Sequence, residues 1–244
     1  MPGFCAFLDI LGFKQQLQEA HRLGRPQRLV DDIASILNES TGRIASASER
    51  LSFLGLRFFT DCICICYECD SGGEHSALTH LFELVADCQL AMACRGLYIR
   101  GAITYGTLAF GDRMIIGDSL FEAYTLESEV AKWPRVIISA KVVEQFGGAM
   151  AGSFKSGGNF RVWEDADGYC FINYLSAAYE KRVKFSRILE LNDEKLECHG
   201  QKIENALNKF KDDSRVWGKY LWSANYHNAF CDRLRRERFK INIA

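Results

Sequence analysis

The sequence has neither a long hydrophobic run nor an excess of charge of one sign. Its 30 basic residues against 31 acidic residues leave a formal net charge of −1, so the positive surface typical of nucleic-acid-binding proteins is missing. No apolar run approaches the ~20 residues that cross a bilayer. The apolar N-terminus lacks a basic segment and is interrupted by Asp9, which argues against a signal peptide. We therefore expect a cytoplasmic protein that binds neither nucleic acid nor membrane.

Cysteine, by contrast, is abundant, with 10 in 244 residues. The chain length and the lack of a secretion signal argue against a disulfide framework. Cys62, Cys64 and Cys66 alternate along an extended segment, so we expect them on one face of a strand as small core residues. Cys66 and Cys69 form a CxxC motif, but no second CxxC or histidine pair follows at zinc-finger spacing. Core packing is favoured, and a zinc site is the alternative.

Strand patterns mixed with helical patterns predict an α+β fold, with helices on one face of a mainly antiparallel sheet. Helical spacing of apolar residues predicts helices after Pro26, over residues 78–94, and from Asp118, which is expected to be an N-cap. Strands are expected at residues 4–10, 51–67 with a bend near Gly55, 97–106, 114–116 after a turn at Gly111-Asp112, 136–139, 159–163 and 169–174.

The character of the chain changes after about residue 175. Residues 176–240 contain no proline and keep helical periodicity, which predicts two or three helices. We therefore divide the chain into a body of residues 1–175 and a C-terminal helical extension of residues 176–244.

Asp9 and Asp61 each stand in an apolar run that predicts a buried strand. A buried carboxylate without a compensating charge costs several kcal/mol, so a divalent cation held between the two strands is one expectation. The chain also enters a helix after Gly12, where unsatisfied backbone N–H groups favour phosphate. In the alternative, Asp9 caps that helix and Asp61 forms an ion pair with Arg57 or Lys14.

Four segments follow one another in a recognisable order. They are Phe7-Leu8-Asp9-Ile10-Leu11-Gly12-Phe13, Phe59-Thr60-Asp61, Arg100-Gly101-Ala102-Ile103-Thr104-Tyr105-Gly106, and Ile116-Gly117-Asp118 through Leu126-Glu127-Ser128. In this order they resemble the class III nucleotidyl (adenylate and guanylate) cyclases, over residues 4–175. The resemblance implies a cyclase-homology sandwich with a ferredoxin-like βαββαβ core as a catalytic domain of residues 1–175. It also implies a homodimer with sites at the subunit interface.

The same resemblance implies the chemistry of the site. Asp9 and Asp61 would hold two divalent metal ions, Mn²⁺ or Mg²⁺, and the Ile10 carbonyl would touch one of them. The triphosphate would be held by three backbone amides, those of Leu11, Gly12 and Phe13. In-line attack of the ribose 3′-hydroxyl on the α-phosphorus would release pyrophosphate and leave a 3′,5′-cyclic nucleotide.

Several positions depart from the purine cyclases of this family. Arg57 and Met114 stand where those enzymes read the base. Phe121 and Thr125 stand at the positions of the transition-state asparagine and arginine, and they supply neither ribose hydrogen bonds nor positive charge. Arg100 is our candidate for the missing phosphate charge and thus for a catalytic residue. A surface arginine at a strand end is the alternative.

The departures match a particular branch of the family. Trp133-Pro134-Arg135-Val136, and Lys219-Tyr220-Leu221-Trp222 with Tyr226-His227-Asn228, resemble the pyrimidine cyclases of Pycsar antiphage systems. Those enzymes make cyclic CMP or cyclic UMP, which activates a separate effector protein. Arg57 offers only donors, whereas uracil presents two acceptors, so UTP and the product cUMP are favoured. The alternatives are a cytidylate cyclase making cCMP and a catalytically silent nucleotide-binding regulator.

The remaining motifs predict packing rather than chemistry. We interpret His227 as a satisfied histidine on a packed helix and Tyr124 as a core residue. Glu127 is interpreted as a solvated or N-terminal helix charge. In the alternative, Tyr124 and Glu127, which lie three residues apart on one helix face, serve the ribose. The basic run over residues 233–240 is interpreted as a solvated helix end, where cations are favoured.

Overall fold

The computed structural model describes residues 1–45, 54–70, 72–111, 114–155, 161–181 and 189–243. The strands are β1 (Pro2–Ile10), β2 (Leu54–Phe59), β3 (Cys62–Glu68), β4 (Ile99–Thr107), β5 (Ala109–Phe110), β6 (Ile115–Ile116), β7 (Val136–Ile138), β8 (Val162–Glu164), β9 (Cys170–Ile172), β10 (Tyr179–Lys181) and β11 (Leu189–Leu191). The helices are α1 (Phe13–Arg22), α2 (Pro26–Ala45), α3 (Glu74–Ala93), α4 (Asp118–Glu129), α5 (Ala140–Lys155), α6 (Asp193–Lys209) and α7 (Ser214–Arg233).

Seven strands form one sheet in the order β2-β3-β1-β4-β7-β9-β8. The first four strands are antiparallel to one another, whereas β7 runs parallel to β4. Helices α1 and α2 connect β1 to β2, and α3 connects β3 to β4, so each connection passes over the strand that lies between its ends. This is the ferredoxin-like βαββαβ arrangement. The predicted α+β fold is confirmed.

The two faces of the sheet are covered differently. On one face, Phe4 and Leu8 of β1 belong to the main core, which α2 and α3 cover. On the other face, Cys5 and Phe7 form a smaller cluster with Ala123 of α4. Side chains alternate along a strand, so Asp9 belongs to this second face. Helix α4 therefore lies opposite the other core helices, which the expectation of helices on one face did not include.

The C-terminal extension packs into the same core as the sheet. Leu196 of α6 and Phe230 of α7 are buried members of that core. The Tyr226 hydroxyl accepts the Leu175 N–H at 2.9 Å and donates to the Asn173 side-chain oxygen at 2.5 Å. A two-stranded sheet of β10 and β11 precedes the helices, and helical periodicity did not predict it. The division at residue 175 stays a prediction.

Two local predictions are wrong. The β2–β3 hairpin does not bend near Gly55, because Phe59 pairs directly with Cys62 and the turn lies between them. Helix α4 has Gly117 as its N-cap, so Asp118 is its first helical residue. Residues 51–53, 112, 159–160 and 182–188, which fall within predicted segments, lie outside the described residues.

All ten cysteines are free thiols, as predicted.

In the described part of the chain, no helix combines the length and apolarity needed to span a membrane.

Candidate active site

Asp9 lies near the carboxyl end of the central strand β1. It pairs with Cys62 on one side and with Arg100 on the other. Residues directly opposite in neighbouring strands share a face, so the guanidinium reaches the carboxylate, with Arg100 Nε 3.0 Å from Asp9 Oδ2. The sequence singled out Lys14 and Arg57 as the neighbouring cations. The compensating charge for Asp9 comes instead from Arg100.

Asp61 was predicted to lie within a strand. It lies instead in the two-residue turn between β2 and β3. Thr60 before it has a φ of 57°, which is unusual for a β-branched residue. The Thr60 hydroxyl donates to Asp61 Oδ1 at 2.8 Å, and the Ile10 N–H donates to the Asp61 carbonyl at 2.9 Å. These hydrogen bonds fix the turn against the end of β1, next to Asp9.

The two aspartates form a donor set of oxygen atoms. Ligand atoms of Asp9, Asp61 and Cys62 all lie within 4.8 Å of one another. Burial, and then the charges of Asp61 and Asp9, raise the pKa of the Cys62 thiol to about 12, so it supplies no thiolate at neutral pH. Carboxylate oxygens are the ligands that Mg²⁺ and Mn²⁺ prefer. The residues present therefore fit hard divalent ions.

Arg100 connects Asp9 to a second buried acid. Arg100 Nη2 lies 2.7 Å from Glu127 Oε1, and Nη1 donates to the Ala131 carbonyl at 2.8 Å. Glu127 is only 5% exposed, so its interpretation as a solvated helix charge is wrong. Burial raises the pKa of Glu127; Arg100 lowers it, and Asp9 and Asp61 raise it further. Arg100 is likewise no surface arginine, because two carboxylates and a carbonyl hold it.

Helix α1 begins directly after β1 and points its N-terminus at this group. Its N-cap is Gly12 with a φ of 69°, a conformation that glycine adopts without strain, so the predicted capping role of Asp9 is wrong. Among the described hydrogen bonds, the amides of Gly12 and Phe13 have no acceptor, which leaves them available for an anion. The Leu11 amide is engaged, because it donates to the Tyr98 carbonyl at 2.8 Å.

A lysine from the C-terminal extension also lies near the carboxylates, and it was not predicted as a site residue. Burial and the charge of Arg100 lower the pKa of Lys219, whereas Asp9 raises it. The neighbouring Tyr220 holds α7 in place, with its ring edge-on to Tyr98 at a centroid distance of 5.1 Å. The motif around Lys219 was noted only for its resemblance, and its spacing does not show that α7 returns to β1.

An apolar cavity of about 730 Å³ borders the site on the second face of the sheet. Among its described lining residues, Arg57 is the one that carries a charge, and its guanidinium donates to the Gly111 carbonyl at 2.6 Å. Met114 and Phe121 line the same cavity and are 64% and 74% exposed. Arg57 and Met114, the two predicted base-reading positions, therefore line one cavity. The same cavity exposes a large apolar surface.

The structure also places Tyr124 and Thr125 of helix α4. Tyr124 also lines the cavity and is 53% exposed, with its ring edge-on to Phe7 at 5.6 Å, so it is not a core residue. Thr125 is not among the described lining residues, and its hydroxyl donates to the Phe121 carbonyl at 2.9 Å. At the position of the transition-state arginine, the structure therefore has a threonine whose hydroxyl is hydrogen-bonded to the backbone of its own helix.

The interpretation of His227 as a packed, hydrogen-bonded histidine is confirmed. His227 Nε2 lies 2.8 Å from the Phe239 carbonyl, and His227 Nδ1 lies 2.9 Å from His199 Nδ1. In the basic run, Arg238 pairs with Asp193 and Lys240 pairs with Asp232.

The solved structures similar to this chain include adenylyl and guanylyl cyclase domains. The adenylyl cyclase CyaB from P. aeruginosa is 19% identical, with a TM-score of 0.45, over 77% of this chain and 90% of that one. The monomeric guanylyl cyclase domain of the RhoGC fusion protein from Blastocladiella emersonii is 14% identical, with a TM-score of 0.45, over 70% and 94%. The guanylate cyclase domain of RhGC from Catenaria anguillulae in complex with GTP is 15% identical, with a TM-score of 0.43, over 70% and 93%.

No family model matches the chain, and no curated protein matches it. At these identities and TM-scores, the likeness to solved structures does not establish a function. The functional argument therefore rests on the side chains of the site.

Proposed function

We propose that this chain is a metal-dependent nucleotidyl cyclase that converts a pyrimidine nucleoside triphosphate, UTP by preference, to cUMP and pyrophosphate. One observation carries the proposal: the carboxylates of Asp9 and Asp61 lie within 4.8 Å of one another, beside the start of helix α1. A pair of carboxylates next to free backbone amides suits a polyphosphate bound with divalent cations.

Asp9 and Asp61 would hold two Mn²⁺ or Mg²⁺ ions through their carboxylate oxygens, with the Ile10 carbonyl as a further ligand. When bound, these ions acidify the ribose 3′-hydroxyl and neutralise charge on the phosphates. The protein's own part is to keep the ligands in place. The hydroxyl of Thr60 orients the Asp61 carboxylate, and Arg100 orients the Asp9 carboxylate.

The substrate triphosphate would lie against the N-terminus of α1. The amides of Gly12 and Phe13 would donate to its oxygens, while the Leu11 amide keeps its bond to Tyr98. Positive charge for the α-phosphate would come from Arg100, supported by Lys219 from the C-terminal extension. The catalytic domain of residues 1–175 and the extension of residues 176–244 would then contribute to one site.

The base would lie in the apolar cavity. Arg57 presents only hydrogen-bond donors there, and Met114 presents a thioether, a weak acceptor. Uracil offers two carbonyl acceptors, whereas the exocyclic amine of cytosine needs an acceptor that these side chains do not supply. UTP is therefore favoured over CTP, and a cytidylate cyclase making cCMP is the alternative.

The exposed rim of this cavity supports a homodimer. Phe59, Met114, Ile116 and Phe121 are all more than half exposed around one opening, and a partner subunit that covered them would remove this apolar surface from water. The partner would also supply groups that the positions of Phe121 and Thr125 lack. A role in bacterial antiphage signalling, with cUMP activating a separate effector protein, rests on the resemblance of residues 133–136 and of the tail motifs.

The ion pair between Arg100 and Asp9 favours a second candidate function. Arg100 neutralises the charge of a proposed metal ligand, as it would in a module that binds nucleotide but performs no chemistry. Such a silent regulator would bind a nucleoside triphosphate and release no pyrophosphate.

The decisive experiment incubates the purified protein with each of the four nucleoside triphosphates and Mn²⁺, and measures pyrophosphate and cyclic products. We expect cUMP from UTP, reduced by about two orders of magnitude or more in Asp61→Asn, because the second carboxylate ligand is lost. Asp31→Asn, an exposed aspartate on α2, is the matched control and should keep full activity. Nucleotide binding without any product would support the silent regulator, and cCMP alone would overturn the assignment of the base.

A further inference from the structure

Three buried thiols meet on the second face of the sheet, apart from the carboxylates. The sulfur atoms of Cys5, Cys64 and Cys66 are separated by 3.8 Å, 3.6 Å and 3.7 Å. Each of the three residues is at most 1% exposed. They form a nearly equilateral triangle of sulfur atoms. Packing of small core residues does not by itself require this geometry.

The strand register explains how the triangle forms. Cys5 of β1 lies directly opposite Cys66 of β3, and Phe7 lies opposite Cys64. Because side chains alternate along a strand, Cys64 and Cys66 share a face, and Cys5 on the neighbouring strand projects toward both. The rigid centre of the sheet therefore holds all three sulfur atoms.

The size of the triangle suits a tetrahedral zinc ion. With sulfur atoms 3.6 to 3.8 Å apart and zinc–sulfur bonds of about 2.3 Å, the S–Zn–S angles are about 107°. The ion would stand about 0.9 Å above the plane of the sulfur atoms, which leaves a fourth position open. Cys64 lines the 730 Å³ cavity, so that position can be filled by water or another ligand from that side.

The strand beside the triangle carries a positive charge. Arg57 lies opposite Cys64 on the neighbouring strand β2. A bound zinc ion would deprotonate all three thiols outright.

We propose that Cys5, Cys64 and Cys66 form a three-thiolate zinc site that links β1 to β3. On binding, three S–H groups lose their protons to solvent and three Zn–S bonds form, with no change of oxidation state. Two neighbouring cysteines are outside the site, because the Cys62 thiol donates to Asp61 and the Cys69 thiol donates to the Tyr67 carbonyl. The CxxC motif of Cys66 and Cys69 is therefore not the ligand set.

Cobalt(II) is the probe for the experiment, since it occupies zinc sites and its thiolate complexes absorb strongly in the near ultraviolet. The reduced, metal-free protein is titrated with Co²⁺ alone and then with Zn²⁺. We expect one Co²⁺ per chain with a sulfur-to-cobalt charge-transfer band that Zn²⁺ abolishes. Cys5→Ser and Cys64→Ser should lose this band, while Cys69→Ala, a buried cysteine just beyond the end of β3, should keep it.

A measurement on the wild-type protein tests the zinc site even if a variant fails to fold. X-ray absorption of the zinc-loaded protein should count three sulfur ligands at about 2.3 Å. No charge-transfer band, or no sulfur around the zinc, overturns the proposal. A band that persists in Cys5→Ser and disappears in Cys69→Ala would assign the ion to the CxxC motif instead, which also overturns it. Substitution of Asp61 should leave the band unchanged, so this test is independent of the proposed cyclase activity.

Discussion

A chain of hydrogen bonds between two buried histidines makes the stability of the fold dependent on pH. The Phe239 carbonyl only accepts, so His227 Nε2 carries a proton and His227 Nδ1 must accept from His199 Nδ1–H. His199 Nε2 then accepts from the Tyr174 hydroxyl, 2.9 Å away. Each ring then carries one proton and is neutral. A second proton on His227 Nδ1 would face the His199 Nδ1–H, and a second proton on His199 Nε2 would place a charge in a fully buried site.

The sign and size of the effect follow from this arrangement. Burial lowers the pKa of His199 well below its ordinary value, and burial also lowers the pKa of His227. The unfolded chain then binds more protons than the folded one below about pH 6.5, so stability is full above that pH and falls as the pH drops. Between pH 7.5 and 5.5, His199 alone costs about 1.4 kcal/mol of unfolding free energy, and both histidines together up to about 2.7 kcal/mol.

Urea unfolding at the two pH values measures this difference directly. We expect the wild-type protein to lose about 1.4 to 2.7 kcal/mol between pH 7.5 and 5.5. His199→Phe should be less stable at both pH values but should lose less between them. His21→Gln, an exposed histidine on α1, is the control and should keep the wild-type difference. Equal stability of the wild-type protein at pH 7.5 and 5.5 would refute the neutral-pair interpretation.

Three further predictions concern the candidate site. Thr60→Gly should raise the unfolding free energy by about 1 kcal/mol in urea denaturation, because relief of the positive φ outweighs the lost hydrogen bond to Asp61. A lower unfolding free energy would show that the backbone of Thr60 is not strained. Lys219→Met should lower pyrophosphate release about tenfold or more with thermal stability unchanged, and Lys219→Arg should restore part of it; full activity of Lys219→Met would exclude a role in charge stabilisation. Phe121→Asp should weaken self-association at least about tenfold in sedimentation, since an exposed aromatic anchor becomes charged; unchanged self-association would place the interface elsewhere.

Local patterns predicted most of the elements of the fold and the two central carboxylates. Asp9 stands out because a charge interrupts a continuous apolar run, and this signal lies within a few residues of sequence. The position of Asp61 was predicted less well. A two-residue turn usually shows glycine or asparagine, and Thr60 with positive φ hides the turn within an apolar run.

The rest of the site depends on contacts that no local pattern carries. Arg100 meets Asp9 across 91 residues through the β1–β4 register, and that register also brings Glu127 of α4 to the same ion pairs. Lys219 arrives only because α7 packs back onto Tyr98. The cysteine triangle has the same origin, since alternation predicted a shared face for Cys64 and Cys66 but not the approach of Cys5.

The central position of β1 has a consequence for how the chain folds during synthesis. This strand is made before both of its partners: β3 ends at Glu68 and β4 ends at Thr107. A nascent chain therefore carries a nearly fully apolar strand with both edges unpaired until most of the first half has been made. Pairings of such long sequence separation close slowly, so the ribosome-bound chain is exposed to aggregation during this interval and is a natural client for chaperones.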